Sequence, residues 1–329
     1  MILITGATGL VGAALIKRFL DAKVKVKACY RSEYRKNQLL QYLKKHNYSA
    51  AQLATIEWTL TDINALESLD SAFENVSEVY HCAALVQLDD SENERLLKTN
   101  AEGTANVVNY CIQKGVKKLL YVSSIAALGD PIANEKIDET TPWNNDLPKT
   151  GYAYSKYRAE LEVWRGMQEG VNAIIVNPGV ILGYAHRTGP AKQFFNYVKR
   201  PTYYFTSGGT GYVHVDDVVD ALLQLAKSKL KNARYVLVAE NLSYKTFLAR
   251  LQQQNQLKSR AKFVSATTLK LLWMADTVAA FLKLKKKVFS KGLLQSLTTT
   301  ATYDGIKITK ALPGFQYRPL DTGLVAPKK

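Results

Sequence analysis

An α/β fold with a doubly wound parallel sheet and helices on both faces is predicted for this 329-residue chain by three observations. Short apolar, β-branched runs alternate with helical segments through the first half, the rhythm of parallel strands joined by crossover helices. The first run opens directly into a glycine-rich turn, Gly6-Ala7-Thr8-Gly9-Leu10-Val11-Gly12, and then an apolar helix. Hydrophobic residues make up 47% of the chain, enough for a full core in one large or two modest domains.

Residues 1–5, Met-Ile-Leu-Ile-Thr, form the first strand, and the helix after the glycines runs to about Leu20. Residues 24–30 alternate with lysines as the second strand, and residues 33–46 read as a helix that starts at Glu33. Strands at 55–60, 79–83 and 118–123 alternate with helices at 64–73 and 91–114. A loop rich in Pro, Asn and Asp covers 130–150. A helix at 152–168, a strand at 171–177, a helix at 216–227 and a strand at 234–238 complete the rhythm. The remaining segments break it and are expected to close over the carboxyl ends of the strands, where open α/β sheets bind ligands.

The glycines point to a dinucleotide. Gly6 permits the tight turn, Gly9 lets the backbone approach a pyrophosphate, and Gly12 lets helix and sheet pack closely. The helix N-terminus offers free N–H groups and partial positive charge to phosphates. At the end of the second strand stands Arg31, where a cofactor without a ribose 2′-phosphate usually meets an acid. An arginine can grip a 2′-phosphate bidentately, so NADP is expected rather than NAD.

Tyr152 and Lys156 are four residues apart, which places them on one face of a helix. An ammonium there favours the phenolate of a tyrosine whose ordinary pKa is about 10. A shift of roughly three units, about 4 kcal/mol, would make the tyrosine a proton donor or acceptor near neutral pH.

With these motifs in order, the chain resembles the extended short-chain dehydrogenase/reductase family, also called the NAD-dependent epimerase/dehydratase family. The likeness runs from Met1 to about Leu324. It implies a Rossmann domain over residues 1–179, with 212–240 returning to it, and a smaller substrate-binding region over 180–211 and 241–329. Residues 5–12 match the family's glycine motif, so Thr5, Thr8, Leu10 and Val11 join the glycines as expected cofactor contacts. Asp62-Ile63 matches its adenine-contacting pair, and His81-Cys82-Ala83-Ala84 matches a segment whose small residues, Ala83 and Ala84, line the cofactor. His81 and Asn100 are expected to be structural. Tyr121-Val122-Ser123-Ser124 places Ser124 at the catalytic hydroxyl, with Ser123 nearer the cofactor. Asn177, Pro178, Gly179 and Val180 match the segment beside the nicotinamide. The resemblance implies hydride transfer, with Tyr152 transferring the proton, Ser124 holding the substrate oxygen, and Lys156 binding the nicotinamide ribose. Tyr154 and Tyr157 fall on other faces. Asp216 or Asp217 is expected to cap the helix at 216–227.

Sugar-nucleotide members of the family usually carry an arginine just before the Val213-His214-Val215-Asp216 segment. Here the residues are Gly211-Tyr212, although Arg187, Lys199 and Arg200 could compensate. Arg31, the Asn-Pro-Gly-Val-Ile-Leu-Gly wording at 177–183 and the aromatic Tyr203-Tyr204-Phe205 look more like the dihydroflavonol 4-reductase and 3β-hydroxysteroid dehydrogenase branch. The expectation is an NADP-dependent reductase of a fairly apolar ketone or aldehyde. The alternatives are a sugar-nucleotide epimerase or dehydratase, and a noncatalytic dinucleotide- or RNA-binding protein. An intact Ser124, Tyr152 and Lys156 set argues against the last, and nucleic acid is not the expected partner.

The three cysteines, Cys29, Cys82 and Cys111, and four scattered histidines give no metal spacing, so no metal is expected. With no secretory signal before the first strand and no long uncharged apolar run, a cytoplasmic protein is expected. The resemblance implies either a monomer or a homodimer through the helices at 91–114 and 152–168, to which Val107, Tyr110, Leu161 and Trp164 would contribute. The net charge is +16, and residues 251–329 hold 14 Lys and Arg against 3 Asp and Glu. Within that stretch an apolar segment with Trp273, Met274 and Phe281 runs into Lys283, Lys285, Lys286, Lys287 and Lys291. Residues 267–291 therefore have two readings: peripheral contact with an anionic membrane, or a helix packed on the core with lysines favoured at its C-terminus.

Overall fold

The computed structural model describes residues 1–87, 92–130, 135–183, 190–284 and 286–324. Its strands are β1 (Ile2–Thr5), β2 (Val26–Tyr30), β3 (Ile56–Leu60), β4 (Glu78–His81), β5 (Lys118–Val122), β6 (Ala173–Pro178), β7 (Val180–Leu182), β8 (Thr202–Phe205), β9 (Gly209–His214), β10 (Ala233–Leu237), β11 (Glu240–Ser243) and β12 (Arg260–Phe263). The helices are α1 (Leu10–Asp21), α2 (Glu33–Lys45), α3 (Ala50–Leu53), α4 (Leu66–Ala72), α5 (Asn93–Leu96), α6 (Gly103–Gln113), α7 (Gly151–Gln168), α8 (Pro190–Val198), α9 (Val215–Lys227), α10 (Tyr244–Gln254), α11 (Ala266–Phe281), α12 (Lys291–Thr298), α13 (Ile306–Ala311) and α14 (Asp321–Leu324).

Seven strands form the central sheet in the order β10-β6-β5-β4-β1-β2-β3, all parallel. Strand order reverses between β1 and β4, so a crevice opens there at the carboxyl ends. Side chains along each strand alternate between two apolar layers, as a strand's period of two requires. Ile4, Tyr80, Leu120 and Ile174 face α1, α2 and α9. Their neighbours Leu3, Val79, Leu119 and Ala173 face α4, α6 and α7. The central strands β5 and β6 are buried on both faces because helices cover both sides, while the edge strand β3 stays partly exposed.

The later segments build a second, smaller layer. β11, β9 and β7 form a three-stranded sheet, and β12 pairs with β8. Tyr203, Tyr212, Phe247 and Leu320 centre its core. The segment after α13 is tied back to α9 by Arg318, which forks onto Asp217 and Asp220.

Several expectations change. The helix read at 91–114 is divided: α5 leads into a wide π-helical turn at Leu97–Glu102 before α6 begins. Asp216 and Asp217 do not cap α9. His214 occupies the cap, its Nδ1 accepting from the Asp216 N–H, because the Asp217 carboxylate is buried against Arg318. Val107 is completely buried in the core and cannot serve a dimer face. α11 does not pack its apolar surface on the core: Leu269 and Asp276 are buried, while Leu271, Leu272, Met274, Val278 and Phe281 are exposed. Arg187 and Lys285 lie outside the described residues. Among the described residues no helix is long and apolar enough to cross a membrane.

At the junction of the two sheets, Gly179 donates to the Leu237 carbonyl, and a Cβ there would lie 2.4 Å from the Gly211 oxygen. Neighbouring backbone cannot give way as a flexible side chain does. Gly179→Ala is expected to cost about 1–3 kcal/mol of stability. Urea denaturation checks this, and an unchanged midpoint would mean that the β7–β9 approach adapts freely.

Candidate active site

Apart from Tyr152 and Lys156 on α7, Leu10, Val11 and Gly12 in the first turn of α1, and Val180 at the start of β7, the site residues expected from the sequence lie at or just beyond the carboxyl end of one of β1 to β6. At the end of β1, Gly6 has φ +64°, and a Cβ on it would lie 2.7 Å from the Ala83 backbone that follows β4. Gly6 thus lets the two strand ends meet at the reversal point. A Cβ on Gly12 would lie 2.4 Å from the Gly6 oxygen, which fixes the close seat of α1. Gly9 stands at the N-cap of α1 with no side-chain cap, and no acid occupies the first turn. The first N–H groups of a 12-residue helix therefore face the crevice without a capping partner. Thr5 Oγ1 holds the wall of this cradle through His81 Nδ1 at 2.7 Å and the Ala83 N–H at 3.3 Å. His81 also pairs with Thr104 at 2.9 Å, and burial lowers its pKa to about 3, so it is a neutral core residue as expected.

At the end of β2, Arg31 is exposed. The nearest acid, Glu33, is engaged elsewhere, by the Tyr30 hydroxyl at 2.5 Å and Lys36 at 2.7 Å. Ser32 caps α2. At the end of β3, Asp62 Oδ1 accepts the Asn64 N–H at 3.0 Å and so closes a local turn. Ile63 is buried and packs where Gly103 leaves space for it.

Ser124 follows β5 and Tyr152 lies in the first turn of α7, which is capped by Thr150. The Ser124 hydroxyl favours the Tyr152 phenolate, but burial acts more strongly and raises the phenol above its ordinary value. The side chain keeps partial exposure to the crevice. Lys156 does not lower it in this arrangement, contrary to the expectation from spacing. Its ammonium turns instead to the Tyr121 hydroxyl and the Val122 carbonyl, each at 2.9 Å. Tyr154 is exposed and Tyr157 stacks on Trp143, so neither belongs to the set.

Beneath Lys156 lies a residue that sequence reading missed. Glu160, one turn further along α7, is 2% exposed. Its carboxylate accepts from Arg234 of β10 at 3.0 Å and from the Asn177 amide of β6. The same amide donates to the Ser124 carbonyl at 2.9 Å. Its i,i+4 spacing from Lys156 was the available signal. Asn100 is structural as expected, bridging Leu85 and Ser155.

Two buried polar atoms at the carboxyl ends of β5 and β6 fit an added polar ligand. Asn177 Oδ1 has no hydrogen-bond partner, and Ser123 Oγ lies by the Tyr121 phenol without reaching hydrogen-bond geometry. Together with the uncapped α1 terminus, these atoms fit a dinucleotide whose diphosphate takes the N–H groups. Among the described residues no group of His, Cys, Asp and Glu could hold a metal ion.

The fold and the Ser–Tyr–Lys set define an extended short-chain dehydrogenase/reductase. Residues 2–238 match the NAD dependent epimerase/dehydratase family, and the chain belongs to that family, whose members bind NAD(P). A protein of Synechocystis sp., provisionally named a dihydroflavonol 4-reductase, is 27% identical over 316 residues, covering 94% of this chain and 88% of its own. The crystal structure of gox2253 superposes with a TM-score of 0.81 at 26% identity, covering 98% of this chain and 95% of that one. Thermus thermophilus UDP-glucose 4-epimerase in complex with NAD superposes at 0.72 with 19% identity, covering 98% and 96%, a likeness of fold.

Burial holds the Lys156 ammonium down at about 8, against an ordinary 10.5. Between those values the unfolded chain binds more protons, so the native state gains stability as pH rises through the window. From pH 8 to 10.5, wild type should gain on the order of 3 kcal/mol relative to Lys156→Met. Urea titrations of both proteins across this range check the prediction, and parallel stability curves would refute the depressed lysine.

Proposed function

We propose that the chain is an NADP-dependent reductase of a fairly apolar ketone or aldehyde. The observation that carries the reading is the approach of Ser124 to a partly exposed Tyr152 at the crevice edge, with Lys156 buried beneath. A nicotinamide cofactor supplies the hydride when bound. The Tyr152 phenol donates its proton to the substrate oxygen as negative charge develops there, and its raised pKa keeps it protonated at neutral pH. The Ser124 hydroxyl holds the same oxygen. Two of the three Lys156 N–H groups serve Tyr121 and Val122, which leaves the third for a ribose hydroxyl or for the tyrosinate after transfer. The reverse assignment of each role gives alcohol oxidation.

NADP is supported by Arg31, which is exposed at the strand end while the neighbouring Glu33 is held by Tyr30 and Lys36. An apolar substrate is supported by Gly211 and Tyr212, which stand where a diphosphate-clamping arginine would precede Val213, and by the reductase name of the Synechocystis relative. Lys199 and Arg200 lie over Phe195 and Tyr197 at 4.2 and 5.6 Å, on exposed helix-end positions.

Tyr152→Phe should lower turnover about 10²–10⁴-fold while cofactor affinity stays near wild type. Steady-state kinetics with calorimetric cofactor titration checks both, and a mutant of near-normal rate would remove Tyr152 from proton transfer. Arg31→Ala should weaken NADPH binding roughly 10- to 100-fold and NADH binding far less, as expected for a lost charge-assisted contact. Equal losses for the two cofactors would exclude a 2′-phosphate contact.

A further inference from the structure

We propose that α11 and the lysine-rich segment after it form a docking surface for an anionic lipid bilayer. The inference is independent of the reductase reading. Leu271, Met274, Val278 and Leu282 recur at helical spacing on the solvent side, and Phe281 beside them is 84% exposed. The opposite side, at Leu269 and Asp276, faces the protein. An apolar patch of this kind on a surface marks an interaction site. It continues into exposed Leu284 and Val288, next to a shallow groove lined by Leu272, Ala275, Ala279 and Phe289.

Charge decides which partner the surface fits. Lys270, Lys283, Lys286, Lys287 and Lys291 are exposed along the same stretch. The only acid between residues 263 and 291 is Asp276. Its carboxylate is turned inward and accepts the Val288 and Phe289 N–H groups at 3.1 and 2.9 Å. That pair of bonds folds the segment back along α11, so Lys286 and Lys287 stand beside the apolar stripe rather than trailing from it. Lys287 lies 5.9 Å from the Trp273 ring centre.

Aliphatic side chains flanked by ammonium groups match the acyl boundary and anionic headgroups of a bilayer simultaneously. A second copy of the chain fits poorly, because a symmetric contact through this patch would set lysines against lysines. RNA would use the lysines but would leave the leucines, Met274 and Val278 without a partner, since single strands stack on aromatic rings. Contact is peripheral, since no described helix can cross a membrane. The surface also lies one short helix from the catalytic one. α12 starts against Lys149 and Thr150, where a Cβ on Gly292 would lie 2.3 Å from the Lys149 carbonyl carbon, and Thr150 caps α7.

The test is co-sedimentation of the full chain with phosphatidylcholine vesicles, with and without phosphatidylglycerol. Binding should require phosphatidylglycerol and weaken with salt. Lys283→Ala, Lys286→Ala and Lys287→Ala combined should lower partitioning about a hundredfold. Val278→Ser with Phe281→Ser should lower it about tenfold or more, because both apolar side chains then fail to bury. Circular dichroism of both variants should match wild type, because all five side chains are exposed. No binding to either vesicle, or binding that survives both variants, would overturn the proposal. So would a lysine-dependent interaction that Val278→Ser and Phe281→Ser leave intact and RNA displaces. A dimer in lipid-free solution that Phe281→Ser dissociates would assign the face to a second copy instead.

Discussion

The buried carboxylate of Glu160 is the constraint on which the carboxyl end of the sheet and its seat against α7 depend. A charge removed from water is tolerable only when paired and hydrogen-bonded, and losing one partner leaves it uncompensated. Here its partners come from two different strands. Arg234 reaches it from the sheet edge at β10, and Asn177 from β6. Asn177 also carries the Ser124 carbonyl, and the Glu160 charge supports the Lys156 ammonium against burial. One side chain therefore sets the spacing between α7, which bears Tyr152, and the strand ends that bear Ser124 and Asn177. Arg234 extends the tie to the 130–150 loop through the Glu139 carbonyl.

Most of the sheet was legible in the sequence because period-two burial and crossover helices leave strong local signals. The glycines were legible for the same reason: Gly6 and Gly12 meet backbone atoms, and nothing larger fits. What failed was long-range. Asp217 stands where a helix cap is common, but Arg318 lies 101 residues away and claims its carboxylate. The break at Leu97–Glu102 adds a wide turn without changing the apolar period enough to notice, while Asn100 there bonds Leu85 and Ser155 from other elements. The i,i+4 spacing put Lys156 on the same helix face as Tyr152, yet its hydrogen-bond partners sit on β5, which spacing along one helix cannot reveal.

α11 shows a different limit. Its composition is that of a core helix, apolar on nearly every side, and composition alone cannot say whether a core is present to receive it. The sheet layers are already filled by α1, α2 and α9 on one face and α4, α6 and α7 on the other. α11 is therefore left at the periphery, joined to the rest through α12 and the buried Asp276. The small C-terminal layer is assembled around Tyr203, Tyr212 and Phe247, and those rings do not reach it.

The unpaired cysteines have a consequence for how the fold breathes. Cys29 on β2 and Cys111 on α6 are both buried in the layer between the sheet and α4, α6 and α7. Burial pushes the Cys29 thiol up to about 11 and Cys111 higher still, so neither forms an appreciable thiolate at neutral pH while that layer is closed. Their alkylation is gated by separation of helices from strands. Because the third thiol, Cys82, is partly exposed, it is modification at Cys29 and Cys111 specifically that reads how often the layer beneath α7 comes apart.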